Sequence, residues 1–422
     1  MELMIFLVML GIFMASTFWF KLPVSISMVM AAVGGMLAGG EGFVLRHLVE
    51  GTFGYLDTVM VIATAMIFMK VVQESGGLDA INHVIIERFH RRPAVLLVFM
   101  MLVIMFPGMI TGSSTASVLS AGALMAPILL MIGIPMVDTA AIIAIGGLLG
   151  MVAPPVNLPA MIIGGGIDMP YVGFEIPLLL MTIPLAVFSV LFLGLKHSRS
   201  IDYEQLKSKM NTEVREKYGV KVYLPILVVI VLMVAGKVFP AVVPNLGMPL
   251  IFVIGSLVGL FTGRRFSFIK TATEAVNDAL PVMGILMGVG MFIQIMTLTG
   301  VRGFIVVNSI SLPTVLLYIG IALTIPLFGA VSSFGASSVL GVPFLLALLG
   351  QNQIMTASAL SLIASVGDLM PPTALAGIFA AQIVGVDNYF LVLKKCLIPA
   401  AIIIVTGILF IVFANPIASV IL

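Results

Sequence analysis

Two pairs of small-residue stretches decide the fold. They are Gly112-Ser113-Ser114-Thr115-Ala116-Ser117 with Ala153-Pro154-Pro155, and Ser332-Ser333-Phe334-Gly335-Ala336-Ser337-Ser338 with Met370-Pro371-Pro372. In each pair a serine-rich stretch is followed by an apolar run, a glycine and then two prolines. The first prolines of the two Pro-Pro pairs are 217 residues apart, and the same offset relates Gly133 to Gly350 and Gly150 to Gly367, while Asp168 matches Asp387 after two inserted residues. Matching positions in the same order indicate an internal duplication.

The composition places the chain in a membrane. Of its 422 residues, 61% are apolar and only 9% are charged, whereas soluble domains contain about 25% charged residues. The net charge of +2 gives no indication of a nucleic-acid partner. The single Cys396 excludes a disulfide within the chain, and the four histidines show no metal-ligand spacing.

Long continuous apolar runs predict spanning helices rather than a β-barrel. The runs cover 3–20, 23–39, 52–73, 93–111, 116–133, 137–152, 156–167 and 174–195, and then 222–243, 247–263, 280–299, 303–311, 313–330, 334–350, 355–370, 372–385 and 390–414. We expect the first run to be a retained helix. Several runs are short and interrupted by Gly and Pro, which predicts half-helices or re-entrant hairpins enclosed by protein. The stretch 76–89 predicts either an interfacial helix or a short connecting helix.

A polar segment divides the chain into two halves. Residues 1–195 form the predicted first repeat, 196–221 a loop, and 222–422 the second repeat. The loop carries seven Lys and Arg residues against four acidic ones, which predicts a cytoplasmic position. We therefore predict an all-α polytopic membrane protein with two inverted-topology repeats, each containing a re-entrant hairpin and a Pro-Pro-broken helix. This architecture is typical of secondary transporters, whose sites lie near the bilayer midplane between the repeats.

The Gly- and Ser-rich stretches have an explanation other than a binding site, because small residues also let helices pack closely. For an isolated Gly-Ser pair that explanation is sufficient. Two serine-rich tips, each followed by a Pro-Pro break, favour a binding site instead. Hydroxyls and unwound backbone carbonyls coordinate a cation, and broken-helix ends interact with an anionic group.

These residues resemble the large membrane subunit of tripartite ATP-independent periplasmic (TRAP) transporters, within the wider ion transporter superfamily. Gly112-Ser113-Ser114 matches the hairpin tip of that family, and Gly150-Met151-Val152-Ala153-Pro154-Pro155 matches its Pro-Pro element. Leu369-Met370-Pro371-Pro372-Thr373 is similar in the second half. The resemblance covers nearly the whole chain.

The resemblance implies a sodium-driven importer of organic acids, such as a C4-dicarboxylate or a related carboxylate, in the bacterial inner membrane. It also implies two partners, a periplasmic substrate-binding protein and a small four-helix membrane subunit. The hairpins and broken helices would form an elevator-type transport domain that moves against a scaffold. Sodium is the coupling ion, and no cofactor is expected.

The candidate site residues follow from the two tips and the two breaks. For substrate binding we predict Ser113, Ser114, Thr115, Ser337, Ser338 and Arg302. For the ion we predict Gly112, Ser114, Asn157, Ser332, Ser333, Asp368 and Thr373, with Pro154, Pro155, Pro371 and Pro372 as the hinges of the broken helices. Thr373 has an alternative role as the cap of the helix after the break.

Four charged residues stand out. Asp368 lies inside an apolar stretch, and intramembrane acids are functional candidates because their burial is costly. It is a candidate sodium ligand or proton acceptor, and the alternative is capping of the half-helix after Pro371 or pairing with a basic residue. Arg302 either binds a substrate carboxylate through its planar guanidinium or marks a helix end. Lys70 and Glu74 are one helical turn apart and are expected to pair.

The sequence shows no Gly-rich phosphate loop ending in Lys-Ser/Thr and no nucleophile with a nearby base, so we expect no enzyme activity and no direct ATP use. The alternative to a TRAP-type permease is a stand-alone sodium- or proton-coupled carboxylate symporter of the same superfamily.

Overall fold

The computed structural model describes residues 1–198, 213–239, 244 and 246–422. Within these residues the regular structure is entirely helical. Most of the predicted central loop, residues 199–212, lies outside the described part of the chain, so the cytoplasmic position of the loop stays a prediction.

The first half contains eleven helices in its described residues. They are α1 (Glu2–Met14), α2 (Val24–Ala38), α3 (Leu45–Phe53), α4 (Leu56–Glu74), α5 (Gly77–Phe89), α6 (Pro93–Thr111), α7 (Ser114–Ser117), α8 (Ala123–Met131), α9 (Met136–Val152), α10 (Leu158–Gly165) and α11 (Glu175–Gly194). A π-helical turn, Ala15–Trp19, extends α1. The run predicted at 52–73 is divided between α3 and α4, because the chain turns at Gly54-Tyr55.

The described residues of the second half contain twelve helices. They are α12 (Glu213–Tyr218), α13 (Leu224–Val238), α14 (Gly247–Thr262), α15 (Phe268–Leu298), α16 (Val301–Ile310), α17 (Thr314–Gly329), α18 (Ser333–Ala336), α19 (Val342–Ala347), α20 (Gln353–Ser365), α21 (Leu375–Val384), α22 (Tyr389–Val412) and α23 (Ala414–Ile421). Helix α15 begins twelve residues before the run predicted at 280–299, because its first turns are polar.

Eight helical segments of the described chain are long and apolar enough to cross a membrane. They include α4, α6, α11, α15 and α22. The shorter apolar helices include those on either side of the two breaks, and also α2, α14 and α16. This confirms the prediction of an all-α protein that crosses the membrane several times.

The two predicted hairpins have the same local structure. In the first, α6 ends at Thr111 and is followed by Gly112, which adopts a left-handed conformation with φ of 65°. The chain then forms α7, a π-helical turn (Val118–Gly122) and α8. In the second, α17 is followed by α18, a π-helical turn (Ser337–Gly341) and α19. Equivalent residues of the two π-turns are 219 positions apart, so the likeness of the halves extends from sequence to local structure.

Both Pro-Pro pairs interrupt a helix, as predicted. In the first half, the break separates α9 from α10. In the second half, α20 continues into a 3-10 turn (Val366–Leu369) before the break, and α21 follows. Both Pro-Pro peptide bonds are cis. In each half the chain after the break is tied to the hairpin entrance, because Val156 N–H donates to the Met109 carbonyl and Thr373 N–H to the Ala330 carbonyl.

Two hydrophobic cores organise the described helices, and each draws on both halves of the chain. The first core is formed mainly by α6, α8, α9, α11, α17, α20, α21 and α22. The second is formed mainly by α1, α2, α4, α14 and α15. Residues near the hairpin tips, such as Ile110 and Val331, pack in the second core. The hairpin tips therefore lie where the two cores meet. The division of the chain into domains at 196–221 stays a prediction.

Candidate functional site

One hydrogen bond joins the two halves at the hairpin tips. The Ser114 hydroxyl, in the first tip, donates to the Asp368 carboxylate in the 3-10 turn before the second break. Ser114 is 3% exposed and Asp368 is 5% exposed. A carboxylate at this depth is costly unless it is paired or bonded, so its contact with a hydroxyl from the other half marks a specific site.

The second hairpin tip reaches the same carboxylate. The Ser333 side chain also interacts with the Asp368 carboxyl group, and it is buried as well. Three predicted ion-site residues, Ser114, Ser333 and Asp368, are therefore brought together, and we call them the tip cluster. The cluster offers only oxygen atoms, which are the ligands preferred by hard cations.

Close backbone contacts between glycines, which we call glycine crossings, bring the elements of the tip cluster together. A Cβ on Gly367, next to Asp368, would lie 2.4 Å from the Gly329 Cα. In the first half, a Cβ on Gly108 would lie 2.8 Å from the Gly150 carbonyl carbon. Only glycine allows backbones to approach to these distances. The crossings hold each hairpin arm against the broken helix of its own half.

Ser117 is a site-supporting residue that was absent from the predicted set. Its hydroxyl accepts a hydrogen bond from Gly108 N–H at 2.7 Å, so it joins the short helix α7 to the preceding arm. Ser117 is the last residue of the first small-residue stretch, and this position was the only sign in the sequence that it supports the site.

Ser113 and Ser332 have matching roles as helix caps. The Ser113 hydroxyl accepts from Ala116 N–H at 3.2 Å, and the Ser332 hydroxyl accepts from Gly335 N–H at 3.1 Å. Both serines are only half-buried. The structure thus places them one residue before the cluster serines, with their oxygens engaged in N-capping.

The other predicted tip hydroxyls face different directions. The Ser337 hydroxyl donates to the Ser333 carbonyl at 2.8 Å, and the Ser338 hydroxyl donates to the Gly335 carbonyl at 2.9 Å. Both serines are buried in the second π-turn. Thr115 lies half-buried on α7. Of these three predicted substrate contacts, Thr115 is therefore the most accessible.

Asn157 clamps the first break instead of joining the tip cluster. Its Nδ2 donates to the Val152 carbonyl and to the Ser361 hydroxyl, both at 2.8 Å. Its Oδ1 accepts from Ala160 N–H at 2.9 Å and caps α10. The side chain is fully buried. Each polar atom of the amide already has a protein partner, so the structure gives it a clamping role where the sequence predicted an ion ligand.

Thr373 fastens the second break to the second hairpin. Its hydroxyl donates to the Ala330 carbonyl at 2.8 Å. The alternative prediction of a helix cap is wrong, because the residue at the cap position of α21 is Ala374, which has φ of 39°. Thr373 therefore supports the tip from behind.

Arg302 contacts the end of α10. Its guanidinium donates to the Gly166 carbonyl at 2.5 Å and to the Thr297 hydroxyl at 3.5 Å. Nearby, the Tyr55 hydroxyl donates to the Ile162 carbonyl at 2.9 Å. Neither partner of Arg302 belongs to the tip cluster, so the structure shows an interhelical contact at the position predicted to bind substrate.

Lys70 and Lys395 form ion pairs with acidic residues on distant helices. Lys70 lies 3.6 Å from Glu274 and 3.7 Å from Asp278, so the predicted pair with Glu74 is replaced by pairs across to α15. Sequence reasoning missed the second pair, in which Lys395 lies 2.8 Å from the buried Asp138. These two residues are 257 positions apart, and no local pattern connects them.

The comparisons with known proteins agree with this architecture. Residues 3–417 match the family described as tripartite ATP-independent periplasmic transporter, DctM component. The YdaH transporter of Alcanivorax borkumensis has a similar structure, with a TM-score of 0.62 and 15% identity over 88% of each chain. MtrF of Neisseria gonorrhoeae, described within a class of antimetabolite efflux pumps, gives a TM-score of 0.63 and 16% identity over 89% of this chain and 84% of its own. At these identities the likeness is one of fold alone. The comparison with curated proteins gave no match.

Proposed function

The chain belongs to the DctM component family of tripartite ATP-independent periplasmic transporters, and we propose that it imports an organic acid anion, driven by a sodium gradient. The family confirms the resemblance and the prediction that the chain is a transporter subunit and not an enzyme. Members work with a periplasmic binding protein and a small membrane subunit. We propose the bacterial inner membrane as the location, and a C4-dicarboxylate or related carboxylate as the substrate.

The tip cluster is the observation that carries the sodium proposal. Asp368 is buried with hydroxyl neighbours, and no basic side chain is among its hydrogen-bonding partners in the described structure. A bound monovalent cation would neutralise the carboxylate, and Ser114 and Ser333 would complete part of its oxygen shell. The buried acid therefore supplies both the affinity for a cation and the reason that the empty site is unfavourable.

The proposed substrate position is beside the cluster, at the accessible part of the tips. Ser113 and Thr115 are half-buried, whereas Ser114 between them is buried against Asp368. This alternation separates an ion-facing hydroxyl from hydroxyls that a carboxylate group can reach. An anion next to a bound cation is also electrostatically favourable.

The arrangement of the cores supports the elevator part of the proposal. The hairpins and broken helices pack mainly in the first core, and the outer helices α1, α2, α4, α14 and α15 pack in the second. We propose that the first group moves as a transport domain against the second. The similar hairpins and breaks support two inverted repeats of this kind, which place the site between the halves.

Asp368→Asn tests the ion site directly. In proteoliposomes with all components present, uptake by this variant should lose its dependence on sodium concentration. Asp387→Asn is the matched control, because Asp387 is exposed in the loop before α22. An unchanged sodium titration in a correctly inserted Asp368→Asn protein would remove Asp368 from the ion site.

A serine pair on the same hairpin tests the tip assignment. Ser114→Leu should abolish uptake, because the side chain faces the buried carboxylate. Ser120→Leu is the control, since that hydroxyl donates to the Ala116 carbonyl on the same arm of the hairpin. Full uptake by the chain without its partners would favour the stand-alone symporter instead.

A further inference from the structure

A basic groove lies at the end of α14. It has a volume of about 710 Å³ and is lined by Lys217, Tyr218, Leu260, Phe261, Gly263 and Arg265. The Lys217 ammonium lies 5.4 Å from the centre of the Tyr218 ring. Lys217 and Arg265 are both exposed. The groove thus presents two cations between the short helix α12 and the turn that follows α14.

The neighbouring charges leave these two cations available. Arg264 pairs with Asp79 at 3.2 Å, and Arg215 pairs with Glu87. The ion pairs of the described residues include neither Lys217 nor Arg265. The exposed Glu216 is the acidic residue next to Lys217 in sequence. The groove therefore has surplus positive charge and suits an anion.

An apolar stripe leads from the groove along α14. Val253, Leu257 and Phe261 are spaced four residues apart, so they share one face of the helix. They are 40%, 49% and 86% exposed. From Val253 to Phe261 the helix rises by eight steps of about 1.5 Å, or about 12 Å, which is close to the depth of one leaflet of hydrocarbon at about 15 Å.

From the groove and the stripe together, we propose that this face binds an anionic phospholipid. The phosphate group lies between Lys217 and Arg265, and an acyl chain follows the stripe. Basic pockets beside membrane helices on the cytoplasmic side recognise phospholipid headgroups in this way. A free phosphate would use the two cations but not the stripe. This inference does not depend on the transported substrate or on the coupling ion.

Native mass spectrometry of the full chain tests the proposal. Phosphatidylglycerol should remain bound at concentrations at which phosphatidylcholine with the same acyl chains is lost. The double variant Lys217→Gln/Arg265→Gln should weaken phosphatidylglycerol binding roughly thirtyfold, because each cation near an anionic lipid contributes about 1 kcal/mol. Arg91→Gln/Arg92→Gln is the matched control, since both arginines are exposed in another basic turn.

Four further measurements complete the test. Phe261→Ser should weaken lipid binding while leaving both cations in place, and melting temperatures should confirm that every variant is folded. Equal loss of lipid in the Arg91/Arg92 control would overturn the proposal in favour of diffuse surface charge. Displacement of the lipid by inorganic phosphate or glycerophosphoglycerol at equal concentration would show a simple phosphate site. Loss of the bound lipid when the small membrane subunit is added would show that a protein helix occupies the stripe. Either result would refute the proposed occupant.

Discussion

Replacing Asn157 by leucine tests whether its amide holds the first broken helix together. The change removes two donated hydrogen bonds, to the Val152 carbonyl and the Ser361 hydroxyl, and one accepted from Ala160 N–H. Loss of the cap costs about 1 kcal/mol, and each donated bond contributes about 0.6–1 kcal/mol inside a membrane protein. We therefore expect the free energy of unfolding to fall by about 2–3 kcal/mol.

Asn388 provides a matched control for this change. It also caps a helix, but it is exposed, and its side chain accepts from Phe390 N–H at 3.0 Å. Asn388→Leu should lower the free energy of unfolding by about 1 kcal/mol. Equilibrium unfolding in mixed micelles, followed by far-ultraviolet circular dichroism, measures both values. Equal losses in the two variants would refute the clamp.

Asn157→Asp separates the clamp from the predicted ion ligand. The substitution keeps the acceptor toward Ala160 and removes both donors. A clamp predicts lower stability with an unchanged effect of sodium on the unfolding midpoint. An ion ligand predicts stronger sodium binding, because a carboxylate adds negative charge to the shell. A midpoint that rises more steeply with sodium than in the wild type would therefore contradict the clamp.

Three other changes have defined outcomes. Gly367→Ala should destabilise the fold by about 3 kcal/mol, because its Cβ meets the backbone of Gly329. Gly320→Ala, with no atom within 4 Å of the added Cβ, should be nearly neutral. Similar unfolding curves for the two variants would refute the close approach of Gly367 to Gly329. Arg302→Met should raise the rate of amide hydrogen exchange at the end of α10 about fivefold, because the free energy of local opening falls by about 1 kcal/mol. An unchanged exchange rate would show that this contact does not stabilise the end of α10. Asp138→Asn should lower the free energy of unfolding by about 1–2 kcal/mol, a modest loss because its partner Lys395 is partly exposed. A double-mutant cycle with Lys395→Met that gives no coupling energy would refute a stabilising ion pair.

The hairpins and breaks could be predicted because their signals are local. The end of α6 at Thr111 follows from the glycine after it, which adopts a left-handed conformation. The breaks follow from the paired prolines, because two adjacent residues without an N–H disrupt a helix more than the single prolines that α6 and α17 accommodate. The apolar run at 93–111 accordingly coincides with α6. The hydrophobic pattern and the positions of Gly and Pro are sufficient to predict helix ends and breaks, because the residues that determine them lie within a few positions of each end or break.

The sequence did not predict the direction in which each serine hydroxyl points. Ser113 and Ser114 are neighbours in sequence, yet one caps α7 and the other reaches a carboxylate 254 residues away. The difference depends on the rotation of α7, which the glycine crossings and the second hairpin determine. The partners of Lys70 and Lys395 were missed for the same reason, because helix packing places their acids on other helices.

The two halves share one acid, and this asymmetry has a consequence for the proposed coupling. At the 217-residue offset, the counterpart of Asp368 is Met151, so the hydroxyls of Ser114 and Ser333 converge on a single carboxylate. With Asp368 ionised and no cation bound, the side chains that stabilise this buried charge in the described structure are hydroxyls, which is unfavourable in a low-dielectric interior. Binding of one cation removes that penalty for both tips together. Under sodium coupling, the ion must therefore enter before the tips are buried at the meeting of the two cores, because closure without it would leave the charge uncompensated.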